Sequence, residues 1–256
     1  MNPLKSILIF SSAKPLASFI LACLFGVTLL ATEARGARGR PQVDQSLGFN
    51  VILSDKQTLL RGVSISFDGG DPYGSLPAVM PTQLQLDALA KTYGLNTLHL
   101  YLEGDSAGPN GNNDPVGYNA AACDLLVQRC ADAGLYLIIT IGCNGKNGQM
   151  NLEWSQRFWN FYGPRYKNQT HVIYEAHNEP APNSLWQWTT NDWNNQIALY
   201  KTIRAVAPDT LILLCSFMGF AGDNNLNSVY DPRNRANYLA ANGVDWSNAA
   251  IAHHGY

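Results

Sequence analysis

Charged residues are scarce in this sequence. Lysine, arginine, aspartate and glutamate make up 14% of its 256 residues, and the formal net charge is −2. The only basic cluster comprises Arg35, Arg38 and Arg40. Proteins that bind DNA or RNA normally carry a basic surface that replaces the counterions of the phosphates. The charge pattern therefore excludes a nucleic-acid partner, and the 46% apolar content excludes a disordered chain.

The sequence also lacks the motifs that hold metals and cofactors. It has no Cys-x-x-Cys pair, no cysteine and histidine spacing typical of a zinc site, and no glycine-rich phosphate loop. Cys123 and Cys130 fall in one predicted helix, where their spacing separates them by about 10 Å, too far for a disulfide. We expect no metal and no cofactor, and we interpret these cysteines as small buried side chains.

One hydrophobic run is long, and it covers residues 16–31. Lys14 precedes it and the small residues Ala31 and Ala34 follow, which is the order found in a secretory signal peptide. The run is shorter than the roughly 20 residues that span a bilayer comfortably. We predict a signal peptide over residues 1–34, a linker over 35–48 and an exported, monomeric domain over 49–256. An uncleaved membrane anchor is the alternative.

One unit, a strand followed by a helix, repeats along the rest of the chain. Strand-like apolar segments start 35 to 40 residues apart, and helical patterns lie between them, several ending at glycine or proline. Such strands, without clean alternation, indicate a parallel sheet covered on both faces, as in a (β/α)₈ TIM barrel. The strand segments start at Leu60, Thr97, Tyr136, His171, Leu211 and Ala249, and helices are predicted over residues 82–93, 119–133, 152–162 and 192–206.

The sequence holds about six of the eight units of a closed barrel. It stops at Tyr256, in the sixth strand segment. We expect the two other units, on the order of 70 residues, to lie outside this sequence, unless the fold departs from an eightfold barrel. Before the first unit, Val51–Leu53 and residues 57–59 predict a hairpin that covers the barrel floor.

The fourth strand segment ends in Asn178-Glu179-Pro180. The loops that follow barrel strands form the catalytic face. Hydrolysis of a glycosidic bond needs one carboxylic acid that protonates the leaving oxygen and a second carboxylate that attacks the sugar or activates water. Glu179 suits the first role by position, and the Asn178 amide can hydrogen-bond a sugar hydroxyl. Trp186 and Trp188 follow in the next loop, where they either line a sugar subsite or belong to the core.

These segments resemble glycoside hydrolase family 5 of clan A, the cellulase and mannanase family. The resemblance covers roughly residues 49–256 and lies in the segments LLRGVSI, YGLNTLHL, GLYLIITI, VIYEAHNEP and HGY. It implies a glycosidase-type (β/α)₈ barrel that works by a retaining mechanism. It also implies that Glu179 is the acid/base, that Asn178 binds beside the scissile bond, and that His254 and Tyr256 bind substrate.

Three features depart from the family pattern. The family's nucleophile is a glutamate at the end of the seventh strand, which this sequence does not reach. His99 stands where the second strand usually carries arginine, and Gly142 stands where the third usually carries histidine. Of the other carboxylates, Glu103 comes from the wrong strand to replace the nucleophile. We expect Glu175 to be a buried structural carboxylate paired with Arg61, because a charge inside a protein must be paired.

The predicted function is therefore secreted hydrolysis of the O-glycosyl bonds of a β-linked polysaccharide, cellulose-like β-glucan or mannan. The alternative, favoured by the three departures, is a barrel remnant that binds carbohydrate without cleaving it, or a truncated gene product. In the first two cases the partner is a polysaccharide or oligosaccharide.

Overall fold

The computed structural model describes residues 38–46, 48, 50–67, 80–104, 115–142, 150–180, 189–219 and 232–255. A small antiparallel sheet comes first in the chain, and a sheet of six parallel strands follows it in sequential order. The small sheet contains β1 (Gln42–Asp44) and β2 (Val51–Leu53), and the large one contains β3 (Gly62–Ser66), β4 (Thr97–Glu103), β5 (Tyr136–Ile141), β6 (Val172–Glu175), β7 (Ile212–Gly219) and β8 (Ala249–Gly255).

Helices connect the parallel strands, as the repeat predicts. They are α1 (Gln83–Lys91), α2 (Ala120–Ala133), α3 (Leu152–Tyr166), α4 (Thr190–Val206) and α5 (Pro232–Ala241). Alternating strands and helices with each strand parallel to the next confirm the fold class, and six neighbouring strands of a (β/α)₈ barrel are present. Helix α5 was not predicted, because its sequence, PRNRANYLAA, has no apolar periodicity.

Helix α3 extends further than predicted. The sequence indicated an end at Tyr162, before Gly163 and Pro164, yet the helix continues to Tyr166. Two contacts explain the extension: the Tyr166 side chain is buried, and its hydroxyl donates a hydrogen bond to Asp124 of α2 at 2.9 Å. Tertiary packing therefore offsets the cost of proline inside the helix.

The predicted floor hairpin pairs differently from the sequence expectation. Strand β2 pairs along its length with β1, and residues 57–59 contribute only one bridge, from Leu59 to Leu53. A tight turn explains this, since the N–H of Ser54 donates to the carbonyl of Thr58 at 2.8 Å. Ile52 packs beneath the sheet against a buried cluster formed by Tyr136, Ile173 and Leu211.

The main core lies between the parallel sheet and its helices. The central strand β6 is buried at all four positions. Aromatic side chains of α3 cover its outer side, and the Trp159 and Tyr174 rings lie 4.9 Å apart. The described cysteines Cys123, Cys130 and Cys215 are free and buried in this core. Burial raises the pKa of each of these thiols to about 12, so all three are protonated at neutral pH.

The inner face of the sheet carries polar groups in one layer. Tyr101 of β4 is in register with Thr140 of β5, and Thr140 is in register with Glu175 of β6. Because all the strands are parallel, the residues that follow them emerge at the same end of the sheet.

In the described part of the chain, no helix has the length and apolar character needed to cross a membrane.

The approach of α3 to α4 at Gly163 generates a stability prediction. A Cβ atom at Gly163 would lie 2.6 Å from Val206 Cγ2, which is a clash. Although alanine favours helix by about 1 kcal/mol over glycine, we expect Gly163→Ala to lower the free energy of unfolding by about 1–2 kcal/mol through overpacking. Urea unfolding followed by circular dichroism measures the change.

Two further variants separate the clash from helix propensity. Asn160→Ala lies on the exposed side of the same helix and should leave stability unchanged or slightly higher. Adding Val206→Ala to Gly163→Ala should cost less than the two single changes together, because it removes the atom that clashes. Strict additivity of the two changes would contradict the predicted contact.

Candidate active site

The candidate site lies where the chain leaves strand β6. The buried residues Ala176 and His177 follow the strand, and Asn178 and Glu179 come next and are half-buried. The N–H of Asn178 donates to the carbonyl of Ile141 at the end of β5, at 3.4 Å. Asn178 and Glu179 therefore lie at the carboxyl end of the sheet, as the sequence predicted.

Glu179 has an unusual backbone conformation. Its φ angle is +41°, in the left-handed region that side chains with a Cβ atom rarely adopt. This conformation costs about 1–2 kcal/mol relative to the right-handed form. Strained backbone of this kind persists where surrounding contacts impose it, and it clusters at functional sites. Here it directs the carboxylate-bearing residue out of the strand immediately after β6.

Buried hydrogen bonds hold the backbone that leads into Glu179. The Trp159 indole Nε1–H donates to the carbonyl of Ala176 at 2.8 Å, and the N–H of Ala176 donates to Leu213 at 2.9 Å. His177 Nδ1 lies 2.9 Å from the carbonyl of Asn178 and is the donor, since a carbonyl can only accept. Burial lowers the pKa of His177 to about 4, so the ring is neutral at physiological pH.

Asn178 carries a buried hydrogen-bond acceptor next to Glu179 in the chain. Its Oδ1 atom is buried and has no hydrogen-bond partner among the residues that the structure describes. Buried polar atoms without a partner are rare in folded proteins, because each one costs about 1–3 kcal/mol.

Glu175 is buried, as predicted, but its partner is His99 instead of Arg61. The Glu175 side chain is 2% exposed, and its Oε2 atom lies 2.5 Å from His99 Nε2. Arg61 is exposed and precedes β3, at the opposite end of the sheet. The register explains the correction: Glu175 aligns through Thr140 with Tyr101, whereas Arg61 precedes the Gly62–Thr97 pair. His99 and Glu175 thus form a polar pair inside the sheet, beneath the candidate site.

Glu103 has a structural role. A register shift between Tyr101 and Glu103 accompanies its contacts with the helices, where its carboxylate accepts hydrogen bonds from the Tyr162 hydroxyl and the N–H groups of Gly117 and Asn119. Burial raises the pKa of this carboxyl, while the three hydrogen bonds lower it, and burial dominates. The Asn119 contact caps the start of α2, so Glu103 stabilises the helix instead of serving as a nucleophile.

The remaining predicted site residues are only partly covered by the structure. His254 lies in strand β8 and pairs with Met218 of β7, which places its backbone at the carboxyl end of the sheet. Tyr256, Trp186 and Trp188 lie outside the described residues.

Among the described residues, no cluster of three or more histidine, cysteine or acidic side chains has the geometry to hold a metal ion.

Two residues near the site were missed by sequence reasoning. Tyr101 is half-buried on β4 and packs edge-on against His99, with ring centroids 4.8 Å apart. His177 is two positions beyond Glu175. Both could have been found from their spacing: Tyr101 is two positions after His99 and His177 is two positions after Glu175, and residues two apart on a strand share a face. Gly142 is not required by sterics, because a Cβ atom there would make ordinary 3.5 Å contacts with Tyr101 and Glu103.

Comparison with known proteins identifies the family. The sequence model of the Cellulase family, glycosyl hydrolase family 5, matches residues 51–256, which is most of the chain. This chain belongs to glycosyl hydrolase family 5. A curated relative, endoglucanase Z of Dickeya dadantii, is 32% identical over 106 residues, which cover 40% of this chain and 22% of that enzyme.

Solved structures of glycosyl hydrolase family 5 share the fold. The catalytic domain of Thermobifida fusca endoglucanase Cel5A matches with a TM-score of 0.57 and 22% identity, over 84% of this chain and 64% of that one. A β-glucanase from Saccharophagus degradans in complex with cellotetraose matches with a TM-score of 0.59 and 22% identity, over 86% of this chain and 62% of that one. The chain therefore spans less than two thirds of the length of these relatives.

The strained backbone at Glu179 generates a prediction on stability. Glycine adopts positive φ without steric cost, although it loses more backbone entropy on folding. We expect the free energy of unfolding of Glu179→Gly to be about 0.5–1 kcal/mol higher than that of Glu179→Ala. At an ordinary position the alanine variant would be the more stable of the two. Urea unfolding of both variants measures the difference. Glu153, exposed in helix α3, is the control position, where Glu153→Ala should be the more stable. If alanine were also more stable than glycine at position 179, the result would contradict the left-handed backbone of Glu179.

Proposed function

We propose that this chain carries the acid/base half of a retaining β-glucan hydrolase, with Glu179 as the residue that donates and accepts the proton. The observation that carries the proposal is the position of Glu179, which is half-buried directly after the fourth barrel strand and follows Asn178, whose buried Oδ1 atom has no hydrogen-bond partner within the described ranges. The general rule that the loops after barrel strands form the catalytic face supports the proposal for this pair. Family membership and the endoglucanase relative support the reaction class.

In this mechanism Glu179 acts twice. Its carboxylic acid protonates the glycosidic oxygen while a second carboxylate attacks the anomeric carbon and the sugar–oxygen bond breaks. The Glu179 carboxylate then removes a proton from water, which attacks the glycosyl–enzyme ester and releases the sugar. In this proposal the second carboxylate would come from a seventh strand, as the family resemblance implies. Asn178 would bind a hydroxyl of the sugar beside the bond that is cleaved.

The substrate class follows from the relatives. Endoglucanase Z and the Thermobifida enzyme are named endoglucanases, and the Saccharophagus β-glucanase was crystallised with cellotetraose. We therefore propose a β-linked glucan as the substrate and cello-oligosaccharides as the test ligands, with manno-oligosaccharides as the comparison. His254, Tyr256, Trp186 and Trp188 stay predicted substrate contacts.

Glu179→Gln tests the catalytic role in the full-length gene product. The amide keeps the size of the side chain but cannot donate the proton, so kcat on cellotetraose should fall at least about 100-fold. Reducing-end release measures turnover. The loss in kcat/KM should be much smaller on 2,4-dinitrophenyl β-cellobioside, because that leaving group departs without protonation. Glu153→Gln, exposed on α3, is the matched control and should keep full activity.

The same experiment decides between hydrolysis and binding alone. His99 and Gly142, in place of the arginine and histidine that the family usually carries, favour a barrel that holds glycans without cleaving them. Calorimetric binding of cellotetraose by the full-length protein, with no reducing ends released, would support that second function. Full turnover by Glu179→Gln would end the proposal for Glu179.

Export is part of the proposal, since polysaccharides lie outside the cell. Cleavage of the predicted signal peptide after Ala34 should give a mature protein that begins at Arg35, as read by N-terminal sequencing of exported material. Leu24→Arg places a charge in the hydrophobic run and should block export, whereas Leu24→Ile should not. A membrane-bound product that retains residues 1–34 would show an uncleaved anchor instead.

A further inference from the structure

His177 is a buried polar side chain beside the site, and the proposed reaction gives it no role. It is 2% exposed and lies between strand β6 and Glu179. Its Nδ1 atom lies 2.9 Å from the carbonyl oxygen of Asn178, and Nδ1 carries the proton of this hydrogen bond because a carbonyl can only accept. That carbonyl belongs to the peptide unit that joins Asn178 to Glu179. The His177 ring therefore binds directly to the peptide unit that contains the Glu179 nitrogen.

The orientation of this peptide unit helps to set the direction of the Glu179 side chain. A peptide unit is planar, so a bond that holds its carbonyl oxygen also restrains the plane of the Glu179 nitrogen. Rotation about the N–Cα bond of Glu179 then determines where its Cβ atom points, and here the φ angle has the left-handed value of +41°. The direction of the carboxyl-bearing side chain thus depends on the plane that His177 holds.

The backbone on both sides of this peptide unit is anchored in the core. Before it, the Trp159 indole donates to the Ala176 carbonyl at 2.8 Å, and the Ala176 N–H donates to the Leu213 carbonyl at 2.9 Å. After it, Pro180 is buried, and the right-handed helical conformation is disfavoured for a residue that precedes proline. A peptide plane between two anchors can still turn by opposite changes of the ψ angle before it and the φ angle after it. The hydrogen bond from His177 opposes that turn.

The strained backbone of Glu179 requires a restraint of this kind. A left-handed conformation at a residue with a Cβ atom persists only where the surrounding structure imposes it. Burial lowers the pKa of His177 to about 4, so the ring is neutral at physiological pH and has one N–H group. The contact with the Asn178 carbonyl assigns that proton to Nδ1.

We infer that His177 is a positioning residue for Glu179: its Nδ1–H group holds the Asn178–Glu179 peptide unit in the orientation that directs the Glu179 carboxyl into the site. The inference rests on the proposed acid/base role of Glu179. In this role the imidazole ring neither touches the substrate nor transfers a proton. Its effect is geometric, and a displacement of about 1 Å in a catalytic group can cost about 100-fold in rate.

Two substitutions in the full-length protein separate hydrogen bonding from packing at this position. His177→Phe keeps a ring but removes the donor, and we expect kcat on cellotetraose to fall by about 10- to 100-fold while KM stays within about twofold. His177→Asn is smaller but keeps an N–H donor at the δ position, so its kcat should stay within about threefold of the wild-type value. A ring that only filled space would give the reverse order. His177→Phe at least as active as His177→Asn would therefore overturn the inference.

His171→Phe is the matched control. His171 is also buried, and its Nε2 atom lies 3.0 Å from the carbonyl oxygen of Val127, so the change removes an equivalent hydrogen bond. His171 precedes β6, at the opposite end of the strand from Glu179. We expect this variant to unfold at a lower urea concentration but to keep the wild-type kcat and KM. An equal fall in kcat in His171→Phe and His177→Phe would indicate a general loss of stability and would overturn the inference.

A double mutant tests whether His177 acts through Glu179. If it does, His177→Phe should cause no further loss of kcat in a Glu179→Gln background, because the group that it orients is already inactive. An equal loss in both backgrounds, or a loss confined to KM, would overturn the inference. Loss of activity in Glu179→Gln with full activity in His177→Phe would overturn the inference but leave the proposed function intact. Full turnover by Glu179→Gln would overturn both.

The tautomer of His177 can be measured in the wild-type protein, without turnover. In protein labelled with ¹⁵N-histidine, a long-range ¹H–¹⁵N spectrum at pH 7 distinguishes the protonated ring nitrogen from the unprotonated one. We expect the His177 resonances, assigned by their loss in His177→Asn, to show the proton on Nδ1. A neutral ring protonated at Nε2 would overturn the inference even if the protein binds glycan without cleaving it, because such a ring has no donor for the Asn178 carbonyl.

Discussion

The parallel register of six buried strands is the constraint on which the rest of this structure depends. Neighbouring strands in sequence are neighbours in the sheet, and the residues that follow each strand emerge at one end. Asn178, Glu179 and the backbone of His254 reach that end for this reason. The aromatic packing of α3 against β6 fixes the same geometry from outside, because the Trp159 indole also binds the carbonyl that precedes His177.

The two buried carboxylates Glu103 and Glu175 lie in different surroundings. Glu103 faces the helices, where three donors surround it and it caps α2. Glu175 faces the interior, where its described partner is His99, a side chain whose charge depends on protonation. An arginine at that position would keep its positive charge throughout the physiological pH range. The chain therefore has a histidine inside the sheet where the family resemblance implies an arginine, and Tyr101 lies two positions further along β4.

Local sequence and tertiary structure disagree at a few places, and each disagreement has a physical cause. The end of α3 was placed too early because proline and glycine usually stop a helix, whereas here the buried Tyr166 and its contact with Asp124 extend it. The predicted partner of Glu175 was wrong because pairing by charge favoured an arginine, whereas Arg61 lies at the opposite end of the sheet and the His99 side chain, on the inner face of β4, contacts the carboxylate. Helix α5 was not predicted because its sequence has no apolar periodicity.

The sequence alone determined the repeated strand–helix unit, the order of the strands and the placement of Asn178 and Glu179 at the end of the fourth, because apolar periodicity and turn residues are local signals. The tertiary structure decided which side chains meet across strands: His99 with Glu175, Tyr101 beside Gly142, and the left-handed backbone of Glu179. These depend on register and on packing between residues far apart in the chain, and a one-dimensional pattern specifies neither.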